Sequence, residues 1–453
     1  MPLVPGERTQ NRAMGPICTG QAPEGSSPLG GAPRTPRPMR LGSVGFGLTA
    51  LPYWARLELL SGGRPDPSRV CERICSPRAK GHVLSARRSQ GEIIQQPAIR
   101  RGRVAGRDPN AGNDLHESCC AQLPLRVGVV RTGRALILAT RPFAVEVRWK
   151  SRWCALSTLA LLILVTAGTF WNVHPAAKLL SSLCSGLVLV RMFVIYHDHQ
   201  HHSILHKSIP AHLLFTLFGL FILAPSSIWK RSHDYHHNHN SKLFSASIGS
   251  YPIYTRQKFL QASKAERLSY LAVRHPLTIA CAYVTMFMYG MCIQSFRSSP
   301  RRHYDSVIAL VLHAALAGSV AVFLGWQTLL LSILLPFWIA CAIGAYLFYA
   351  QHNFPGVTFK GNIEWSYEHA ALDSSSYMVL PPFWGWVTAN IGYHHIHHIN
   401  SRIPFYRLPE AMAKIPELQQ AKTTTLNPLD ICRCLRLKLW DPDANRMIPL
   451  SQL

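Results

Sequence analysis

The stretch Tyr393-His394-His395-Ile396-His397-His398 places four histidines within five residues. Their spacing, His394-x-x-His397-His398, matters more than their number. On a helix, positions i, i+3 and i+4 share one face, so three imidazoles can point at one centre. The same spacing occurs at His233-Asp234-Tyr235-His236-His237, and a related cluster at His197-Asp198-His199-Gln200-His201-His202. His197 and His201 stand i, i+4 and can share a face. Imidazole suits iron, zinc, copper and nickel, and a single zinc needs about four ligands. The nine well-spaced histidines are His197, His201, His202, His233, His236, His237, His394, His397 and His398, enough for two metals. Asp198 and Asp234 each follow the first histidine of a box and are placed to orient ligating imidazoles. His199, His239 and His395 fall off the shared face and are weaker candidates.

The elements that must position these boxes are apolar. Of 453 residues, 48% are hydrophobic and 15% charged, against the roughly 25% charged residues usual in soluble domains. The net charge of +25 suits an anionic membrane surface or nucleic acid. The apolar runs favour the membrane, and no basic helix carries a nucleic-acid motif. The 12 cysteines make no paired CxxC zinc pattern, so a reducing compartment without a disulfide framework is expected.

Two apolar runs, from Ala155 to about Trp171 and from about Ala176 to Tyr196, are each long enough to span a bilayer and read as a hairpin. Arg148, Lys150 and Arg152 precede them and place that end in the cytoplasm. The second run delivers the first box. The dozen apolar residues at 212–224 are too few to cross and read as an interfacial helix. Of the later runs, 277–296, 306–325 and 328–350, one must not span. Otherwise the third box would face the other side of the membrane. Gly325-Trp326-Gln327 is a tight connection, which makes 306–350 a second hairpin and 277–296 the interfacial or re-entrant piece. His313 is the main histidine inside an apolar run. Residues 1–130 are rich in Pro, Gly, Arg and Ser and sustain no apolar period. They read as a disordered extension or the product of a start codon assigned too far upstream. The expected organisation is a membrane domain at 131–415 and a cytoplasmic tail at 416–453. The expected fold is all-α, with about four transmembrane helices in two hairpins, interfacial helices and a cytoplasmic cap of histidine boxes.

The boxes His197-x-x-x-His201, His233-x-x-His236-His237 and His394-x-x-His397-His398 resemble those of the membrane fatty acid desaturases, over about residues 140–415. Asn390-Ile391-Gly392-Tyr393 and Ser401-Arg402-Ile403-Pro404 resemble bacterial acyl-lipid desaturases. The resemblance implies two irons, O2 as co-substrate and removal of two hydrogens from neighbouring methylenes of a fatty acyl lipid. It implies a further histidine ligand outside the boxes, the position of His352 in Ala350-Gln351-His352-Asn353-Phe354. No His-Pro-Gly-Gly haem motif is present, so electrons are expected from a separate carrier of ferredoxin or cytochrome b5 type. A bacterial inner-membrane protein with a cytoplasmic active site follows, its partners being membrane lipid and the electron carrier, not nucleic acid. Phe383, Trp384 and Trp386 are candidate tunnel or interface aromatics. Related hydroxylases, alkane monooxygenases and carotenoid ketolases share such boxes and form the alternative reading. A metal transporter would carry ionisable residues within its spans, whereas these boxes sit just outside them.

Overall fold

The computed structural model describes residues 130–171, 174–245 and 251–453. The expectation for residues 1–130 therefore lies almost wholly outside the described residues. Among the described residues four helical segments are long and apolar enough to cross a membrane: α1 (Arg148–Gly168), α2 (Pro175–Gln200), α6 (Tyr304–Leu324) and the continuous run Trp326–His352. The last two thirds of that run are α7 (Leu335–His352). Pro336 has no N–H to donate to the preceding turn, and the helix widens to π geometry over Leu330–Leu334 just before it. The protein is an integral membrane protein of mainly helical fold.

Helix α1 packs along α2, whereas α6 joins the run ending in α7 through the Gly325 turn. Against α2, α7 packs closely at Gly186. A Cβ there would lie 2.8 Å from Cβ of Ile339 and 3.1 Å from the Pro336 carbonyl oxygen. Small residues at such crossings let two apolar helices meet where water exclusion contributes little. The consequence is functional, since α2 ends in the first histidine box and α7 ends at His352.

Between α2 and α6 in the chain, α3 (Ile209–Phe221) and α4 (Ser226–His239) meet at a bend of 92°. Leu223 takes φ 58° at the corner, and Pro225 caps α4. Helix α3 is thus too short to cross, as its length predicts, and α4 turns the second box back over the ends of the spans. Asp305, at the start of α6, accepts from the N–H of Ser227 at 3.3 Å and from its hydroxyl at 2.5 Å. That carboxylate meets the first turn of α4, where free N–H groups and the helix dipole favour a negative charge.

The run at 277–296 is not among the four spans. It is broken into Pro276–Ala280, a π-helix at Tyr283–Gln294 and the short Ser295–Ser298. This fits the parity argument. Tyr283 from this piece meets His313 of α6 through its hydroxyl, which gives the intramembrane imidazole a polar partner.

The remaining elements are a cap. Helix α5 (Lys264–Val273) starts with a capping box between Ser263 and Glu266. The third box forms the short α8 (His394–Ile399). Strand β1 (Tyr377–Val379) pairs in parallel with β2 (Thr423–Thr425). Helix α9 (Pro428–Arg436) leads into the hairpin of β3 (Leu437–Asp441) and β4 (Arg446–Pro449). The expected tail at 416–453 is therefore a folded part of the cap. The Trp440 N–H donates to the Tyr254 carbonyl at 2.9 Å, and its ring meets Phe359 edge-on at 5.3 Å. Trp440, Leu439 and Ile448 are buried. The short alternations in this stretch mark strands, but a hydrophobic pattern this brief does not say what it packs against.

Candidate metal centre

Among the described residues nine histidines converge in two adjoining groups. His197, His201, His233, His237 and His397 offer five nitrogens within 4.8 Å of one another. His236, His352, His394 and His398 offer four more within the same limit. The groups touch, since the His237 and His398 rings stack at 4.3 Å.

Each x-x-His-His box is divided between the groups, where the spacing alone suggested one centre per box. Positions i and i+4 lie about 40° apart around a helix, whereas i+3 lies about 60° to the other side. So His233 and His237 of α4 enter the five-membered group and His236 the four-membered one. In α8, His394 and His398 stay together and His397 crosses over.

Nitrogen spacing fits a metal. The Nε2 atoms of His197 and His233 are 3.0 Å apart, those of His233 and His237 3.1 Å, and those of His237 and His397 3.1 Å. In the second group the pairs His236–His352, His352–His394 and His394–His398 stand at 3.0, 2.8 and 3.1 Å. A metal bound by imidazoles at about 2.1 Å holds right-angle neighbours about 3.0 Å apart. Tautomers agree. Nδ1–H of His352 donates to the Ser374 carbonyl at 3.1 Å, so its Nε2 lone pair faces the group. Nδ1–H of His197 donates to Oδ1 of Asp198 at 3.1 Å. His395 shows the reverse, with Nε2–H donating to the Leu418 carbonyl, which removes it as a ligand. Burial first, and then the neighbouring imidazoles, hold His201, His233, His236, His237, His394, His397 and His398 well below the ordinary imidazole range. They are neutral at physiological pH, the state a metal requires.

Two candidates fall outside. Helix α2 ends at Gln200 with His201 as its cap, and His202 then takes φ 58°. The chain turns there, leaving the His202 ring exposed and beside His206 at 4.6 Å. Asp234 pairs with Lys230 at 2.6 Å, on the side of α4 away from the centre. Asp198 lies where a carboxylate can orient a histidine ring. Its Oδ1 accepts from His197, and its Oδ2 accepts the Phe405 N–H at 2.7 Å, linking the first box to the chain after the third. Gln351 and Asn353 brace other segments, donating to the carbonyls of Ile391 and Cys434. Asp198→Ala is expected to weaken metal binding about 10–100-fold, with His202→Ala and Asp234→Ala unchanged. Metal titration of the three variants checks the ranking.

An apolar cavity of about 1060 Å³, part of it open to the outside, ends at this centre. Its walls include Phe193, Trp229, Phe287 and Phe348, and it is bounded by His197, His233, His236 and His394 from both groups. Phe383, Trp384 and Trp386 do not line it. Phe383 and Trp386 are exposed, and Arg191 lies over the Trp386 ring at 4.4 Å. The lining was not legible in sequence, because Met286, Phe287 and Met291 come from the broken 276–298 segment.

The fatty acid desaturase family model matches residues 169–428. The chain belongs to the fatty acid desaturase family. A fatty acid desaturase of Bacillus subtilis is 31% identical over 261 residues, covering 57% of this chain and 74% of that protein. An sn-1 oleoyl-lipid 12-desaturase of Synechocystis is 24% identical, covering 59% and 76%. A chloroplastic omega-6 fatty acid desaturase of Glycine max is 22% identical, covering 59% and 62%. This desaturase is accordingly an oxidoreductase of lipid metabolism. All nine grouped histidines lie inside the matched span.

Proposed function

We propose that this desaturase introduces a C=C bond into the acyl chain of a membrane lipid at two irons, one in each histidine group. O2 is the oxidant, and electrons come from a separate carrier of ferredoxin or cytochrome b5 type. The observation that carries the reading is the apolar cavity, bounded by histidines of both groups. When bound, two irons supply the O2 chemistry that removes two hydrogens from adjacent methylenes. The chain's own residues do the rest. His197, His201, His233, His237 and His397 hold one ion, and His236, His352, His394 and His398 the other. Asp198 fixes the His197 ring. Phe193, Trp229, Phe287 and Phe348 enclose the alkyl chain and keep water from it, which aims one C–C bond at the centre.

The acyl-lipid class follows the Synechocystis relative. The basic residues at the start of α1, Arg148, Lys150 and Arg152, support a cytoplasmic position for the cap in a bacterial inner membrane. Expression in a host of known fatty-acid composition, with metal analysis of the purified protein, tests the reading. New unsaturated acyl chains and two irons per chain are expected. Hydroxylated chains in their place, or zinc without iron, would overturn it.

A further inference from the structure

Beside the four-histidine group lies a second cavity of about 520 Å³, part of it open to the outside and more polar than the first. His236 and His352 line it, and no member of the five-histidine group does. The exposed Tyr235 and the half-buried His239 and Lys242 are also in its wall. Arg274, fully buried, lines it as well.

Among the described residues no carboxylate pairs with Arg274, whose guanidinium lies over the Tyr349 and Tyr270 rings at 5.1 and 5.7 Å. Its guanidinium donates to the carbonyls of Pro252 and Leu437, to the Tyr349 hydroxyl and to Oδ1 of Asn353, all neutral. Its Nε has no partner among the described residues. Lys438 adds a second cation, donating to the Arg274 carbonyl. Among the described residues no aspartate or glutamate lines the cavity. A buried cation surrounded only by neutral acceptors is costly unless an anion joins it. The four-histidine group has the same deficit. Its ligands are neutral, and four imidazoles leave room for a further ligand on an ion that prefers six.

We propose that this cavity is a binding site for a small anion, held by Arg274 next to the metal of the four-histidine group. The proposal rests on the two-metal reading, and it assigns the two groups different access. The apolar cavity reaches both groups, whereas the polar one reaches the four-histidine group alone. A free inorganic or short carboxylate anion and the carboxylate of a fatty acid share the required chemistry.

Azide is the probe, titrated into the iron-loaded full-length protein and followed by its charge-transfer absorption, with iron content measured on each sample. Saturable binding is expected, weakened about tenfold in Arg274→Gln, which loses one charge-assisted contact, and about threefold in Lys242→Gln. Competition by formate alone identifies a free small anion, and competition by dodecanoate at lower concentration identifies an acyl carboxylate. Either supports the site. Unchanged azide affinity in variants that retain two irons overturns it. If Arg274→Gln loses iron through misfolding, Lys242→Gln decides, weakened binding supporting the site and unchanged binding overturning it. Wild-type protein without iron would instead refute the two-metal reading on which the proposal rests.

Discussion

Replacing His352 with alanine is expected to lower bound iron from two to about one per chain and to abolish desaturation. His352 lies outside every box, and its assignment rests on geometry at the end of α7. Its Nε2 stands 3.0 Å from that of His236 and 2.8 Å from that of His394. Its Nδ1–H is committed to the Ser374 carbonyl, which fixes the ring and leaves the lone pair facing inward. Without this imidazole the group keeps three ligands, one short of a closed four-ligand site. The five-histidine group loses nothing directly, so the loss should fall on one ion. The competing role is a headgroup-level anchor for the helix end, which would tolerate alanine with iron retained. Iron content and product formation, measured on the same preparation, separate the two. Two irons and full turnover in His352→Ala would overturn the assignment.

Deleting residues 428–453 is expected to remove both irons and unfold the cap. The deleted segment holds the end of α7 in place. Asn353, next to His352, donates to the Cys434 carbonyl at 2.7 Å, and Tyr349 to the Leu437 carbonyl at 3.2 Å. Arg274 and Lys438 tie the same stretch to the end of α5. The deletion exposes the surfaces that Leu439, Trp440, Met447 and Ile448 cover, each buried side chain contributing about 1.5–3 kcal/mol. Stranded polar groups such as Asn353 cost about 1–3 kcal/mol apiece. Together these rival the whole margin of a typical domain, about 5–15 kcal/mol. Iron content and thermal unfolding of the truncated protein in detergent check the outcome. A truncated protein that melts like the full chain with two irons would refute it.

His352 was named by the family resemblance, whereas the packing of 428–453 is a feature that the sequence shows poorly. The spans are different, because each depends on local composition: α1, α2, α6 and the run to His352 match the apolar stretches closely. Parity required one of the three later stretches not to cross, and the tight Gly325 turn pointed to the first. The boxes were legible for the same reason, since i, i+4 neighbours meet on any helix. Their spacing carried the resemblance to the family, and the family match over residues 169–428 established membership.

What the tertiary structure alone decided is how these local features meet. The division of each x-x-His-His box between two groups depends on where α2, α7 and α8 stand around α4. The spacing of i+3 and i+4 is the same whichever partners surround them. His202 was lost to a backbone turn that begins where α2 ends, one residue past a cap that its ring could have shared. Asp234 has the same place in its box as Asp198, yet it pairs with Lys230 one turn earlier on α4, whereas Asp198 meets His197 and the Phe405 N–H. The 416–453 segment looked like a tail because its apolar alternations are short. Its partners, Tyr254, Phe359 and Asn353, lie roughly 80–190 positions away in the chain. Contacts at such separation leave no period in a sequence, and only the packed fold brings those residues together.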